Sequence, residues 1–357
     1  MSKHYLKQRR SVFASLAVVS LMSIAPFGNA ANSPPKTLEE LALYKGANRH
    51  QLLVEGAKKE GKFDLYTSIP VKDITALTDA FKKKYGVTAT IWRAGSEAVT
   101  NRIITEARGG RYAFDVAAGA SAQLEALSRE KLVQKVNSPY TQKLMEGAVP
   151  NHLEWAPVYL NIFVQAFNTK QVKKEELPKR YEDLLDPKWK GRVTIEATDD
   201  DWFYAVVQQM GEEKGLQYFR NLSANGMSVR KGHTLLTQLV AAGEVPYALT
   251  VFSYSTRQVK NDGAPLDWHV IEPAIARSNG VAVSKKANNP HAALLFHDFL
   301  LSDGQKVLAD MFYDPVNKDY QSATHKFPVK FINDQELFDS YAKWSKLFED
   351  IVLKGRK

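Results

Sequence analysis

Residues Phe63 to Arg93 read FDLYTSIPVKDITALTDAFKKKYGVTATIWR. The first six residues, FDLYTS, read as a strand, and VTATIWR reads as another. Between them DITALTDAFKKKYG places Ile74, Leu77, Phe81 and Tyr85 on one helical face, with Asp73 expected as N-cap and Gly86 as the stop. Strand, helix and strand with short joints predict a parallel pair crossed by a helix. The unit continues outward. GSEAVTNRIITEARGG is a helix opened by Ser96, FDVAAG is a third strand, and Ser121 opens the next helix. The pattern restarts at GRVTIEA, followed by the helix DDDWFYAVVQQMG, then MSVRKG leading into HTLLTQLVAAG, and the strand VPYALTVF. A late strand, GVAVSK, precedes the helix NPHAALLFHDFLLS. A last helix carries Leu337, Tyr341, Trp344, Phe348 and Ile351 as a docking stripe. The fold class is α/β, in two lobes joined by the extended stretch VYLNIFVQAFN and enclosing a cleft.

The N-terminus reads as an address. Lys3, Lys7, Arg9 and Arg10 precede the apolar run SVFASLAVVSLMSIAPF, and the small residues Gly28-Asn29-Ala30-Ala31 suit cleavage. The run is too short for a membrane span. Residues 1–30 are therefore expected to be a signal peptide, cleaved on export to the periplasm. Their removal takes away four basic and no acidic residues, lowering the formal charge from +9 to +5. The remaining basic residues are scattered, where a nucleic-acid partner would want a concentrated stripe. With no cysteine in the chain, cysteine nucleophiles, thiolate zinc sites and iron–sulfur clusters are excluded.

Ligands of open α/β sheets bind outside the carboxyl ends of the strands. That rule selects Tyr66-Thr67-Ser68, Arg93-Ala94-Gly95-Ser96 and Gly119-Ala120-Ser121 in the first lobe. In the second it selects Glu196 to Trp202, Lys231-Gly232-His233-Thr234 and Ser253-Tyr254-Ser255. Serine and glycine ahead of helices are either ordinary N-caps or sockets for phosphate and carboxylate. The candidates for an anionic group are Thr67, Ser68, Arg93, Gly95, Ser96 and Ser121. Glu196, Asp199, Asp200 and Asp201 suit an ammonium, so the pair of ends describes a zwitterion such as an aminoalkylphosphonate or amino acid, within a wider class of small anion-bearing ligands that includes phosphate-containing ones. Trp202 and Tyr254 can cover the middle or contact a cation through their rings. His233 reads either as a neutral donor to a ligand in the same cleft or as a capping or surface residue, with Thr234 and Ser253 as further candidates. The triplet Asp199-Asp200-Asp201 is expected as N-cap and first turn, where the helix dipole favours carboxylates. Consecutive side chains diverge by about 100°, so only Asp199 or Asp200 is expected to touch a ligand. The spaced pattern of a calcium loop is missing. A hydrolase is the alternative of another class, but G-x-S-x-G, H-E-x-x-H and Walker motifs are absent, and Ser253, His233 and Asp199 form a triad only by selection. The chain is read as a binding protein and not an enzyme, without a cofactor.

Four stretches carry a family resemblance: LVEGAKKEGKFDLYTSIP, DLLDPKWKGRVTI, LTQLVAAGEVPYAL and GVAVSKKANNPHAALLFHDFLLSDGQKVLAD. From about Leu52 to Asp310 the chain resembles periplasmic solute-binding proteins of ABC importers, nearest to the ferric-iron-binding branch. The resemblance implies a type 2 periplasmic binding fold, with two crossover segments and hinged closure on a ligand. It implies lobe 1 from residues 49–159 and 271–357, lobe 2 from 160–270, and a linker and helix at 31–48. It also implies a monomer that docks on an inner-membrane permease with its ATPase. Ferric-binding members carry a consecutive tyrosine pair where this chain has Ser253-Tyr254-Ser255. Their glutamate after the third strand is replaced by Ala120 and Ser121, and no histidine follows Tyr66. The usual ferric site is thus expected to be absent, leaving Tyr254, Glu196 and Asp199 as the oxygen ligands for any metal.

Overall fold

The computed structural model describes residues 35–145, 148–320, 327–332 and 334–355, so the expected signal peptide lies outside the described residues. Among these the strands are β1 (Lys62–Thr67), β2 (Thr88–Arg93), β3 (Val116–Ala120), β4 (Val133–Gln134), β5 (Ala156–Asn168) and β6 (Val193–Glu196). They continue with β7 (Ser228–Arg230), β8 (Tyr247–Phe252), β9 (Leu266–His269), β10 (Ala274–Ser284), β11 (Asp314–Pro315) and β12 (Val329–Phe331). The main path runs β2-β1-β3-β10-β5-β8-β6-β7. Strands β1 to β3 are parallel, as are β6 to β8, in keeping with the two strand–helix patterns of the sequence. The centre is antiparallel: β10 lies against β3 and β5, and β5 against β8. GVAVSK proves to be only the end of an eleven-residue strand.

The two halves share β5. Ala156–Ile162 pairs with β10, whereas Phe163–Asn168 pairs with β8 and β9. All thirteen of its residues are buried, which explains its continuous apolar run. The chain returns between the halves through β9 and β10. Gln165 ties the crossovers together, donating to the Leu249 carbonyl at 3.2 Å and accepting from the Ile271 amide at 2.7 Å. The result is the two-lobed α/β fold with two crossovers.

Helix Val71–Tyr85 buries Ile74, Leu77, Phe81 and Tyr85, and Gly86 closes it in the left-handed conformation at φ +77°. It starts earlier than Asp73 suggests. Pro70 stands at the N-cap position, where its carbonyl accepts from the Asp73 and Ile74 amides. Asp73 therefore falls in the first turn, buried, where its carboxylate accepts from the Tyr313 hydroxyl at 2.6 Å. Helix Asp334–Phe348 packs Trp344 against Phe203 and Tyr204, at ring separations of 6.3 and 5.1 Å, and Phe348 against Phe203 at 5.6 Å. Its other end meets helix Ser121–Arg129, where Arg129 pairs with Asp339 at 2.7 Å and lies 4.0 Å over the Phe338 ring. Leu337, Trp344, Phe348 and Ile351 form the expected stripe, while Tyr341 is 42% exposed.

Candidate functional site

Alternate residues of a strand share a face, so Tyr159, Asn161 and Phe163 of β5 point the same way. Across the ladder Arg277 stands opposite Asn161, and Asn279 opposite Tyr159. Asn279 also faces Ala120, the residue before Ser121. Polar side chains therefore line the floor where the chain crosses between its halves. Asn161 and Asn279 are each 4% exposed, and neither amide oxygen has a partner. Arg277 forms an ion pair with Asp201 and lies 5.2 and 5.3 Å from the Phe163 and Phe252 ring centroids. None of Tyr159, Asn161, Arg277 or Asn279 was among the sequence candidates. The available signal was a polar residue inside an otherwise apolar run, as in VYLNIFV and AIARSNGVAV.

The second-half carboxylates meet this floor already engaged. Glu196, the last residue of β6, accepts from the Gly232 amide at 2.7 Å and from the Thr198 amide and hydroxyl at 2.5 and 2.7 Å. Burial raises its pKa, but His233 and these donors outweigh it and hold the carboxylate below its usual range. Asp199 takes the N-cap position of helix Asp200–Met210 without capping it; its Oδ1 lies 2.8 Å from His233 Nε2, and its Oδ2 has no partner. Burial pulls the His233 imidazole down, yet Asp199 and Glu196 together hold it above its ordinary pKa. Its ring stacks on Phe252 at 4.0 Å. Glu196, Asp199 and His233 offer ligand atoms within 4.8 Å of one another, a set whose spacing would allow it to hold a metal ion. Asp200 faces the C-terminal helix, bonded to Tyr341, and burial followed by the Asp201 charge pushes its carboxyl up to about 7. Trp202 is not brought to the cleft: it is fully buried between Tyr181 and Phe219. Thr234 is exposed one residue into its helix.

The first-half candidates gather more closely. Thr67 Oγ1 accepts from the Ile69 amide, and Ser96 Oγ donates to Ser68 Oγ at 2.8 Å. A Cβ on Gly119 would lie 3.0 Å from Ser68 Oγ and 3.9 Å from Ser96 Oγ, so the three loops converge. Arg93 donates to the Ser68 and Ile69 carbonyls. Ser96 and Ser121 open their helices from the first helical position, not as caps; the N-caps are Gly95 and Ala120. Ser121 Oγ is buried without a partner. Pro70, Gly232 and Phe252 are the N-caps of three more helices that follow β1, β7 and β8. With Asp199, none of these six helix starts has a side-chain cap, a feature they share with the helices that follow Asn48, Gly211, Asn289 and Ser302. Bare helix starts at strand carboxyl ends present unsatisfied N–H groups and the positive end of the dipole.

Tyr254 continues the ring stack from His233 and Phe252, at 5.8 Å from the Phe252 ring. Its ring stacks on Tyr313 at 4.0 Å, and Tyr159 meets Tyr313 edge-on at 4.6 Å. Burial pushes all three phenols up. Ser253 donates to Asp314 at 2.6 Å, as does Arg257. A cavity of about 820 Å³ lined by Tyr44, His50 and Tyr140 lies elsewhere, beside the buried Arg49–Asp298 pair. It adjoins none of these strand ends.

Residues 114–337 match the family model described as bacterial extracellular solute-binding protein. The chain belongs to this family. It is 26% identical over 300 residues to iron uptake protein A1 of Synechocystis sp., covering 74% of this chain and 80% of that relative. Iron-bound HitA from Pseudomonas aeruginosa shares the fold with a TM-score of 0.73 and 24% identity, covering 82% of this chain and 99% of HitA. AfuA from Actinobacillus pleuropneumoniae, solved with fructose-6-phosphate bound, has a TM-score of 0.74 at 24% identity and the same coverage. This solute-binding protein thus has the type 2 fold and the ferric-binding-like relatives that its sequence resembles.

Proposed function

We propose that the mature chain is the periplasmic capture component of an ABC importer, closing on a small anion-bearing solute and handing it to a membrane permease. The observation that carries this reading is the convergence of Ser68, Ser96 and Gly119 at the carboxyl ends of β1 to β3, where helices begin, with the Ser121 hydroxyl unpartnered nearby. A phosphate or carboxylate placed there would satisfy backbone donors and meet the dipoles. Of the two ends of the expected zwitterion, the anionic end has the fuller support. Asp201 is neutralised by Arg277 and Asp199 is paired with His233. We take residues 49–159 with 271–357 as one lobe and 160–270 as the other, hinged at β5 and β9–β10. Ligand bridging both lobes shifts the population to the closed form, which then docks on the permease.

A second reading is favoured by the tyrosines. Tyr159, Tyr254 and Tyr313, with Asp73 on the Tyr313 hydroxyl, group hard oxygen donors suited to ferric ion once their protons leave. Thermal-shift measurements on the mature protein separate the two. The panel includes phosphate esters, aminophosphonates, carboxylates, and ferric citrate with chelator controls. A ligand at a hundred times its dissociation constant adds about 2.7 kcal/mol. Stabilisation by organic anions supports the first reading; stabilisation by ferric ion alone, lost with chelator, replaces it with the second.

A further inference from the structure

We propose that the rim where strands β1 to β3 begin is a docking surface for anionic phospholipid, holding the chain against a membrane face. The proposal goes beyond the solute reading above and does not depend on it. Basic residues that are scattered in the sequence are gathered here by the parallel sheet. Helices Arg49–Glu60 and Val71–Tyr85 both end at this rim, where the Thr88 amide donates to the Gly61 carbonyl at 3.1 Å. Their last turns and the start of β1 place six exposed lysines together: Lys58, Lys59, Lys62, Lys82, Lys83 and Lys84. Further along, β3 begins beside the end of β10, with Val116 opposite Val283, and the Lys285 amide donates to the Leu132 carbonyl at 2.9 Å. That pairing brings Arg111, Lys131, Lys285 and Lys286 to the same rim, all exposed.

The carboxylates nearby are already engaged. Asp115 accepts from the Asp64, Asn288 and Asn289 amides, and Glu60 from the His291 and Ala292 amides. Asp303 pairs with Lys84, and Glu130 with Arg108. Apart from Lys84, none of the rim cations named above has an ion pair among the described residues. Complementing the helix dipoles accounts for lysines in the two last turns. It does not account for Lys62, Lys285 and Lys286, which stand at strand ends. Lysine, a compact and strongly hydrated charge, predominates over the arginine favoured for nucleic-acid recognition. No large apolar side chain is exposed on the rim, so the attraction is electrostatic and fades beyond about 8 Å at physiological salt. The rim lies at the opposite ends of β1 to β3 from Ser68, Ser96 and Gly119, so lipid docking leaves that socket uncovered.

Vesicle sedimentation of the mature protein tests this, with phosphatidylcholine alone and with about 40% phosphatidylglycerol, at about 0.05 M and 0.5 M salt. At low salt the partition coefficient on the anionic vesicles should exceed that on phosphatidylcholine at least tenfold, and at high salt the two should coincide. Combining Lys58→Gln, Lys59→Gln, Lys82→Gln and Lys83→Gln should lower anionic binding at least fivefold. The same loss of charge in the second half, through Lys173→Gln, Lys179→Gln, Lys188→Gln and Lys190→Gln, should leave it within twofold. Those lysines are exposed but interleaved with Glu175, Glu176, Glu182 and Asp186. Should the first variant not fold, Lys285→Gln with Lys286→Gln replaces it, with an expected loss of at least twofold. Equal binding to both vesicles, or equal losses in the rim and second-half variants, overturns the proposal. A preference for a DNA duplex over anionic vesicles at matched phosphate concentration also overturns it. None of these outcomes bears on the solute, which the thermal-shift panel reads separately.

Discussion

The three consecutive aspartates show how far residue chemistry depends on its partners. Asp199 meets His233, Asp201 meets Arg277, and Asp200 is turned toward Tyr341. The 100° step around a helix made this divergence legible in the sequence; the identity of each partner was not, because Arg277 and Tyr341 lie more than 70 residues away. Arg277→Met should leave the Asp201 carboxylate buried and unpaired, lowering stability by about 3–5 kcal/mol in urea unfolding. Adding Asp201→Asn to Arg277→Met should recover much of that loss. Asp200 has its own signature. Its folded pKa of about 7 lies above the ordinary 3.8, so its charged form is disfavoured on folding, and stability is lost as pH rises through that window. Asp200→Asn should therefore melt higher than the unaltered protein at pH 8, with the gap vanishing near pH 3.5.

At the scale of elements, the serines ahead of the helices admitted two readings, caps or ligand contacts. The structure places Ser96 and Ser121 one position inside their helices and puts Gly95 and Ala120 at the caps, where neither can supply a side-chain acceptor. A one-residue offset of this kind is beyond sequence patterns, because helix ends shift by a residue or two without altering the apolar periodicity. Nothing lies within 4 Å of a Cβ on Gly95, and its φ of −65° suits any residue. Gly95→Asp should thus cap helix Ser96–Arg108 and raise stability by a few tenths of a kcal/mol. The same carboxylate would occupy the socket and repel an anion, lowering affinity for phosphate esters at least tenfold by calorimetry. Stability and binding moving in opposite directions would distinguish a ligand socket from an ordinary helix start. The extended β5 was legible from VYLNIFVQAFN, whereas β10 was only half seen. Its first half, AIARSN, mixes polar with apolar residues because that half supplies the floor.

For the whole molecule, the strand–helix alternation revealed both parallel sheet ends, and the antiparallel centre depended on long-range pairing that local patterns do not encode. The C-terminal helix joins the periphery of both halves, with Trp344 on helix Asp200–Met210 and Arg129 reaching Asp339 from the other side. Trp344→Ala should cost about 3–5 kcal/mol, as for other buried tryptophans, and is measured by chemical unfolding. The proposed reading places an anion where Ser68, Ser96 and Gly119 converge, and phosphorus NMR observes a bound phosphate directly. With protein and glucose 6-phosphate at equal concentrations near 0.1 mM, the unaltered protein should give a displaced bound resonance of matching intensity, lost in Gly95→Asp. A single resonance at the free position in both proteins would contradict anion capture at this cleft.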